Sequence, residues 1–189
     1  AALLVTHAHP DHAGGLRNGA PCPVYATAEA WQEMASFAVA QRQLIEPRRP
    51  FALAGFSVEV FPVVHSVRAP AVGYRITAGR AALFYVPDVV HIPDRSLALG
   101  GVDLYIGDGA TLTRAMVRKT PEGALFGHTP ARTQLTWCQK EGVMRAIITH
   151  CGSEIVRDEE RAATKLAAFA KERGVQAELA HDGMEVALR

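Results

Sequence analysis

Residues 6–12 read Thr6-His7-Ala8-His9-Pro10-Asp11-His12, directly behind the apolar run Ala1-Ala2-Leu3-Leu4-Val5. Three imidazoles and a carboxylate fall within this heptapeptide, and that donor set suits Zn²⁺ or a similar divalent ion. Alternate side chains of an extended chain point the same way, so His7 and His9 can share one ion. Asp11 and His12 follow where the strand gives way to a turn, and can reach a second ion nearby. A polar loop that happens to be histidine-rich is the weaker reading.

Working outward, four more polar residues stand where apolar strands end. His65 follows the run over residues 58–64, and Asp88 follows Ala81-Ala82-Leu83-Phe84-Tyr85-Val86-Pro87. His128 lies in Phe126-Gly127-His128-Thr129-Pro130, ahead of a helix, and His150 terminates Arg145-Ala146-Ile147-Ile148-Thr149. Each alone reads as a loop residue. Beside the heptapeptide the balance reverses, because ionisable groups at the ends of buried strands are costly unless something binds them.

The rest of the chain supplies a scaffold of alternating elements. Strands are expected over residues 2–6, 23–26, 56–64, 72–77, 81–86, 102–106 and 144–149, the pair at 72–86 turning at Ala78-Gly79-Arg80. Residues 12–16 read as a turn into a short helix. A long helix is expected over residues 27–45, capped by Thr27, with Trp31, Met34, Phe37 and Ala38 as its apolar stripe. Thr129-Pro130 opens a helix reaching about Glu141, another covers 158–173, and residues 176–188 read as a hairpin turning at Asp182-Gly183. Strands and helices interleave over residues 1–189 without repeat or low-complexity linker, so the reading is one α/β domain.

In these stretches the chain resembles the metallo-β-lactamase fold superfamily. The resemblance spans nearly the whole sequence, in the family's order: the heptapeptide, His65, Asp88 and His150. It implies an αββα sandwich in which His7, His9 and His65 hold one metal, Asp11, His12 and His150 hold a second, and Asp88 bridges them. Two divalent ions about 3.5 Å apart can share a hydroxide and clamp both oxygens of a displacement. Zinc is the expected metal, with manganese or iron equally at home in such donors.

Within the superfamily the chain looks most like the ribonuclease Z and cyclic phosphodiesterase branch. Val72-Gly73-Tyr74-Arg75-Ile76 after His65, His128 ahead of His150, and Ala180-His181-Asp182-Gly183-Met184-Glu185 carry that likeness. It implies a phosphodiesterase acting on a small cyclic or nucleotide diester, with Asp11 and His128 as catalytic residues and His128 facing the leaving group. Asp108 or Thr129 would orient His128. The branch's usual His-Glu-Ala-Thr reads Asp108-Gly109-Ala110-Thr111 here, which shifts the supporting carboxylate. The family's opening glycine-rich strands have no counterpart, so an N-terminally incomplete sandwich is expected, and the tRNA-gripping arm is absent too. The rival readings are a carboxylic ester, lactone or thioester hydrolase on the same metals, and a non-catalytic metal-binding scaffold.

Bulk properties narrow the partners. Lys+Arg number 20 against 19 Asp+Glu, so no large nucleic-acid footprint is expected, though a short nucleic acid remains compatible. Arg42, Arg48 and Arg49 read as a solvated helix end and loop. Cys22, Cys138 and Cys151, odd in number and without framework spacing, fit the reducing cytoplasm. No apolar run approaches a membrane span, and a homodimer acting on a small diester is the expected working form.

Overall fold

The computed structural model describes residues 1–188. The chain enters through β1 (Leu3–Leu4) and turns into α1 (Pro10–Ala13), with Pro10 at the first helical position where its missing N–H costs nothing. β2 (Val24–Ala26) runs parallel to β1, and Thr27 caps α2 (Ala28–Glu33) by accepting from the Ala30 amide at 3.4 Å.

The helix expected over residues 27–45 stops at Glu33. Arg42 donates to the carbonyls of Ala35, Phe37 and Val39, its guanidinium lies over the Trp31 ring, and β3 (Arg42–Leu44) pairs parallel to β2. Strand pairing outweighs the helical periodicity here, as tertiary context often does. The turn also lets Val39 and Ile45 enter two different cores.

β4 (Phe51–Leu53), β5 (Phe56–Val63), β6 (Ala71–Ala78) and β7 (Ala81–Tyr85) form an antiparallel meander, with the expected turn at Gly79. α3 (Arg95–Leu99) leads into β8 (Leu104–Asp108). Then comes a hairpin that the sequence did not announce, β9 (Met116–Lys119) against β10 (Leu125–His128). Its charged and glycine positions break the apolar alternation that marks a strand.

α4 (Ala131–Glu141), β11 (Arg145–Thr149), α5 (Ser153–Val156), α6 (Glu159–Glu172) and β12 (Gln176–Leu179) complete the order. Pro130, not Thr129, is the N-cap of α4. The hairpin expected over residues 176–188 reduces to one strand and a turn, because β12 pairs in parallel with β11 after the α6 crossover.

The strands build a large sheet in the order β12-β11-β8-β7-β6-β5-β4 and a small one in the order β1-β2-β3. Side-chain alternation divides the interior into three cores. Ala13, Val24, Ala26, Ala30 and Met34 fill the space between the small sheet and α1–α2. Leu4, Tyr25, Ile45, Val58, Val60, Val72 and Tyr74 fill the space between the sheets. Phe61, Phe84, Tyr105, Leu135, Ile148 and Leu166 join the large sheet to α3, α4 and α6. The layers are therefore α, β, β, α, as expected, and each large apolar side chain buried this way stabilises by about 1.5–3 kcal/mol.

This topology decides where chemistry can sit. β5 and β7 both run antiparallel to β6, while β8 and β11 run parallel to β7, so all four end on one edge of the sheet. His65, Asp88, Asp108 and His150 lie at those ends, where open α/β sheets gather their ligands. Tyr74 Oη donates to the Val5 carbonyl at 2.5 Å and the Val72 amide to the Thr6 carbonyl at 2.9 Å, pinning the heptapeptide against the same edge.

β8 and β11 leave the sheet in close contact. The Gly152 amide donates to the Gly109 carbonyl at 2.9 Å, and a Cβ on Gly152 would stand 2.2 Å from the Ala110 oxygen. Gly152→Ala should therefore destabilise the protein by about 1–3 kcal/mol in urea unfolding. Gly14→Ala, with nothing within 4 Å of its new Cβ, should change stability by less than about 0.5 kcal/mol. Equal midpoints for the two variants would contradict the close approach.

Candidate metal centre

Six histidines and three aspartates converge at the sheet edge. His7 Nε2 lies 2.9 Å from His9 Nδ1, and His65 Nε2 lies 3.3 Å from the same atom. Asp88 Oδ2 is 3.2 Å from His7 Nε2 and 3.7 Å from His65 Nε2. These four residues bring one donor atom each to a common point.

A second grouping stands beside the first. Asp11 Oδ2 is 3.5 Å from His12 Nε2 and 3.4 Å from His150 Nε2. Asp88 joins here too, with Oδ2 2.8 Å from His12 Nε2 and Oδ1 3.0 Å from His150 Nδ1. Asp88 is 3% exposed and faces both groupings, the placement a bridging carboxylate needs.

The donor atoms do not satisfy one another. Buried His12 Nε2, Asp88 Oδ1 and His150 Nδ1 make no hydrogen bond among the described residues, close as their neighbours are. Buried polar atoms are nearly always hydrogen-bonded. Lone pairs converging without hydrogen-bond geometry fit divalent cations, so the residues present fit two such ions. The donors are imidazole and carboxylate, which zinc, manganese and iron all accept.

Neighbouring groups set the rings in ligating form. His65 Nδ1 donates to the Gly127 carbonyl at 3.0 Å, which fixes its tautomer and leaves Nε2 free to ligate. The Gly127 amide donates back to the His65 carbonyl at 2.8 Å. His7 Nδ1 lies 3.1 Å from Thr6 Oγ1. Burial pushes His65 down to about 4 and lowers His9, so both are neutral near pH 7.

Asp88 behaves as a permanent anion. Burial works against its charge, but the close approach of the His12, His150 and His7 rings outweighs burial and holds the carboxyl far below the usual range. The close contact of Asp88 with His150, against burial, lifts that ring to about 9. His150 also sits at φ 51°, a left-handed backbone uncommon for a residue with a Cβ and characteristic of functional sites.

His128 is brought in from β10. Its Nδ1 lies 2.8 Å from Asp108 Oδ2 and 3.5 Å from Asp88 Oδ1. Burial lowers its affinity for a proton, yet the hydrogen bond and charge of Asp108 raise it above the ordinary histidine value. Asp108 also lies within ligating distance of Asp88 and His150. Its oxygens are committed elsewhere, Oδ2 to the Val89 amide at 2.9 Å and His128, Oδ1 to the Ala110 amide at 2.8 Å. Asp108 is therefore placed to support His128 rather than to hold an ion.

Every site residue read from the sequence falls in this cluster except Thr129, whose hydroxyl does not reach His128. Its backbone instead ties β10 to the Val89 carbonyl at 2.8 Å. Thr6 and Gly127 were legible only as chain neighbours of ligands. Gly127 has one sequence-independent demand, a φ of 110° and a Met116 oxygen 2.0 Å from any added Cβ. Arg42, Arg48 and Arg49 are engaged structurally: Arg42 at the turn before β3, Arg48 with Glu59 and over Phe61, Arg49 with Glu46. Among the described residues no helix is long and apolar enough to cross a membrane.

Comparison with known proteins agrees with this fold. A family model described as the beta-lactamase superfamily domain matches residues 1–151. The metallo-beta-lactamase fold protein YhfI from Bacillus subtilis superposes with a TM-score of 0.74 at 17% identity, over 97% of this chain and 75% of that one. A diphosphatase from the PhnP family gives 0.65 at 23% identity, over 97% and 68%. The short form of human tRNase Z gives 0.62 at 18% identity, over 100% and 79%. No curated protein matches the chain by sequence.

Metal loading should depend on pH, because His150 holds a proton up to about 9 that an ion must displace. Zinc affinity measured by chelator competition should rise at least about tenfold from pH 6 to pH 8, with proton release visible by calorimetry in buffers of different ionisation enthalpy. An affinity flat across this range would contradict the assignment of His150.

Proposed function

The chain belongs to the beta-lactamase superfamily, and from that premise we propose that it is a di-metal hydrolase, most specifically a phosphodiesterase acting on a small cyclic or nucleotide diester. His7, His9 and His65 would hold one ion, Asp11, His12 and His150 the other, with Asp88 between them. Two divalent ions so placed supply Lewis acidity toward a phosphoryl oxygen and lower the pKa of water.

The observation that carries the phosphodiester reading is the His128–Asp108 pair at 2.8 Å, beside the bridging carboxylate but outside both ligand sets. Breaking a phosphodiester expels an alkoxide, a poor leaving group that needs a proton. Buried Asp108 raises the affinity of His128 for that proton above the ordinary histidine value. Asp11, whose side chain is 64% exposed beside the second grouping, would take the proton from attacking water. A carboxylic ester or thioester has less need of such an acid, which is why this pair favours the phosphorus substrate. The likeness to a PhnP-family diphosphatase and to human tRNase Z supports the same direction. The three cysteines, all free, support a reducing location such as the cytoplasm.

His128→Ala should lower kcat about 10²- to 10³-fold on a diester with an alkoxide leaving group, leaving bound metal unchanged. Turnover of lactones or glutathione thioesters that ignores this substitution, with no diester cleaved, would instead establish the carboxylic ester reading. Asp108→Asn should move the alkaline limb of kcat/KM to lower pH, since the raised pKa of His128 falls when its anionic partner goes. An unmoved limb in a well-folded, metal-loaded variant would contradict the role of Asp108.

A further inference from the structure

His128 and Asp108 come from different elements, one ending the half-buried strand β10 of a hairpin and the other the buried strand β8, yet they must meet within a hydrogen bond. One side chain spans the junction. Gln134 lies on α4, fully buried, among the apolar Ala131, Leu135 and Cys138. Its Oε1 accepts from the Asp108 amide at 2.9 Å and from Tyr105 Oη at 2.8 Å. Its Nε2 donates to the Asp108 carbonyl at 2.7 Å and to the Thr129 carbonyl at 3.1 Å.

A primary amide offers two donors and two acceptor lone pairs, and all four are used. Both backbone groups of Asp108 are held by the one amide, and the same amide reaches the residue after His128. The slot for it exists because residue 107 is glycine. A Cβ there would stand 2.4 Å from Gln134 Oε1 and 2.2 Å from the Tyr105 ring. An apolar residue of equal length would fill the volume and leave those backbone groups without partners in a dry interior, which is costly.

We propose that Gln134 is the positioning residue of the proton-donating pair: it clamps the end of β8 to the end of β10, so that Asp108 and His128 keep their 2.8 Å contact. This rests on His128 acting as the acid. Gln134 touches neither substrate nor metal ligand in this role. Its effect is confined to the step that needs the proton, which separates it from a side chain that only stabilises the fold.

The test compares the ethyl and p-nitrophenyl esters of thymidine 5′-phosphate on the zinc-reconstituted full chain. For Gln134→Met, kcat on the ethyl ester should fall about 30-fold and on the p-nitrophenyl ester less than about 3-fold, with KM and zinc content unchanged. Proton NMR gives a readout independent of turnover. The downfield Nδ1–H resonance of His128, identified by its loss in His128→Ala, should broaden or vanish in Gln134→Met. Equal losses on both esters, no loss on either, or an unaltered resonance would overturn the proposal.

If Gln134→Met fails to fold, Tyr105→Phe removes one of the four bonds and should show the same ester selectivity at about 3-fold. Equal effects on both esters would again overturn it. His128→Ala separates the two claims. If that variant shows no ester selectivity, the assignment of His128 as the acid fails, and the resonance alone then decides whether Gln134 positions the pair.

Discussion

A carboxylate at 3% exposure, Asp88, is the constraint around which this molecule is arranged. Moving an anion out of water costs several kcal/mol even after relaxation, and the cost is offset only by well-placed partners. Here the partners are imidazoles from every direction: His7 from the loop after β1, His12 from α1, His65 from the end of β5, His150 from the end of β11. Three of the atoms that crowd there, His12 Nε2, Asp88 Oδ1 and His150 Nδ1, make no hydrogen bond among the described residues. The arrangement makes physical sense when cations stand between the rings and the carboxylate, and the fold exists to bring these strand ends to one edge.

The same constraint explains the glycines and the strained backbone near the site. β8 and β11 must end close enough for Asp108 and His150 to face Asp88, so Gly109 and Gly152 replace side chains that would collide with opposing carbonyls. His150 is turned inward by a left-handed backbone. Gly127, at φ 110°, lets β10 exchange two hydrogen bonds with His65 while its neighbour His128 reaches Asp108. One ligand's tautomer and the acid's position are thus set by adjacent residues of a single strand.

The clustering of the candidate residues was legible in the sequence because they follow apolar strands, and a strand's end is the part of a sheet that meets solvent and substrate. The αββα layering was legible for the same reason, through alternation in the runs that became β5, β6, β7 and β11. What escaped has a physical cause in each case. Residues 27–45 carry a helical stripe, but the open edge of β2 and the carbonyls gathered by Arg42 made a turn and a third strand instead. β9 and β10 have no apolar rhythm, since none of their side chains is fully buried and the two strands are held by their own antiparallel ladder. Gln134 is invisible as a signal: one glutamine on a helix reads as surface until Tyr105, Asp108 and Thr129 are seen around it.

The central claim is that Asp88 is shared by two ions, and anomalous diffraction at the zinc edge from crystals of the reconstituted protein tests it most directly. The account predicts two peaks about 3.5 Å apart. One should lie among His7, His9 and His65, the other among Asp11, His12 and His150, with Asp88 touching both. A single peak, or a second ion held by Asp108 in place of Asp11 and His12, would contradict it.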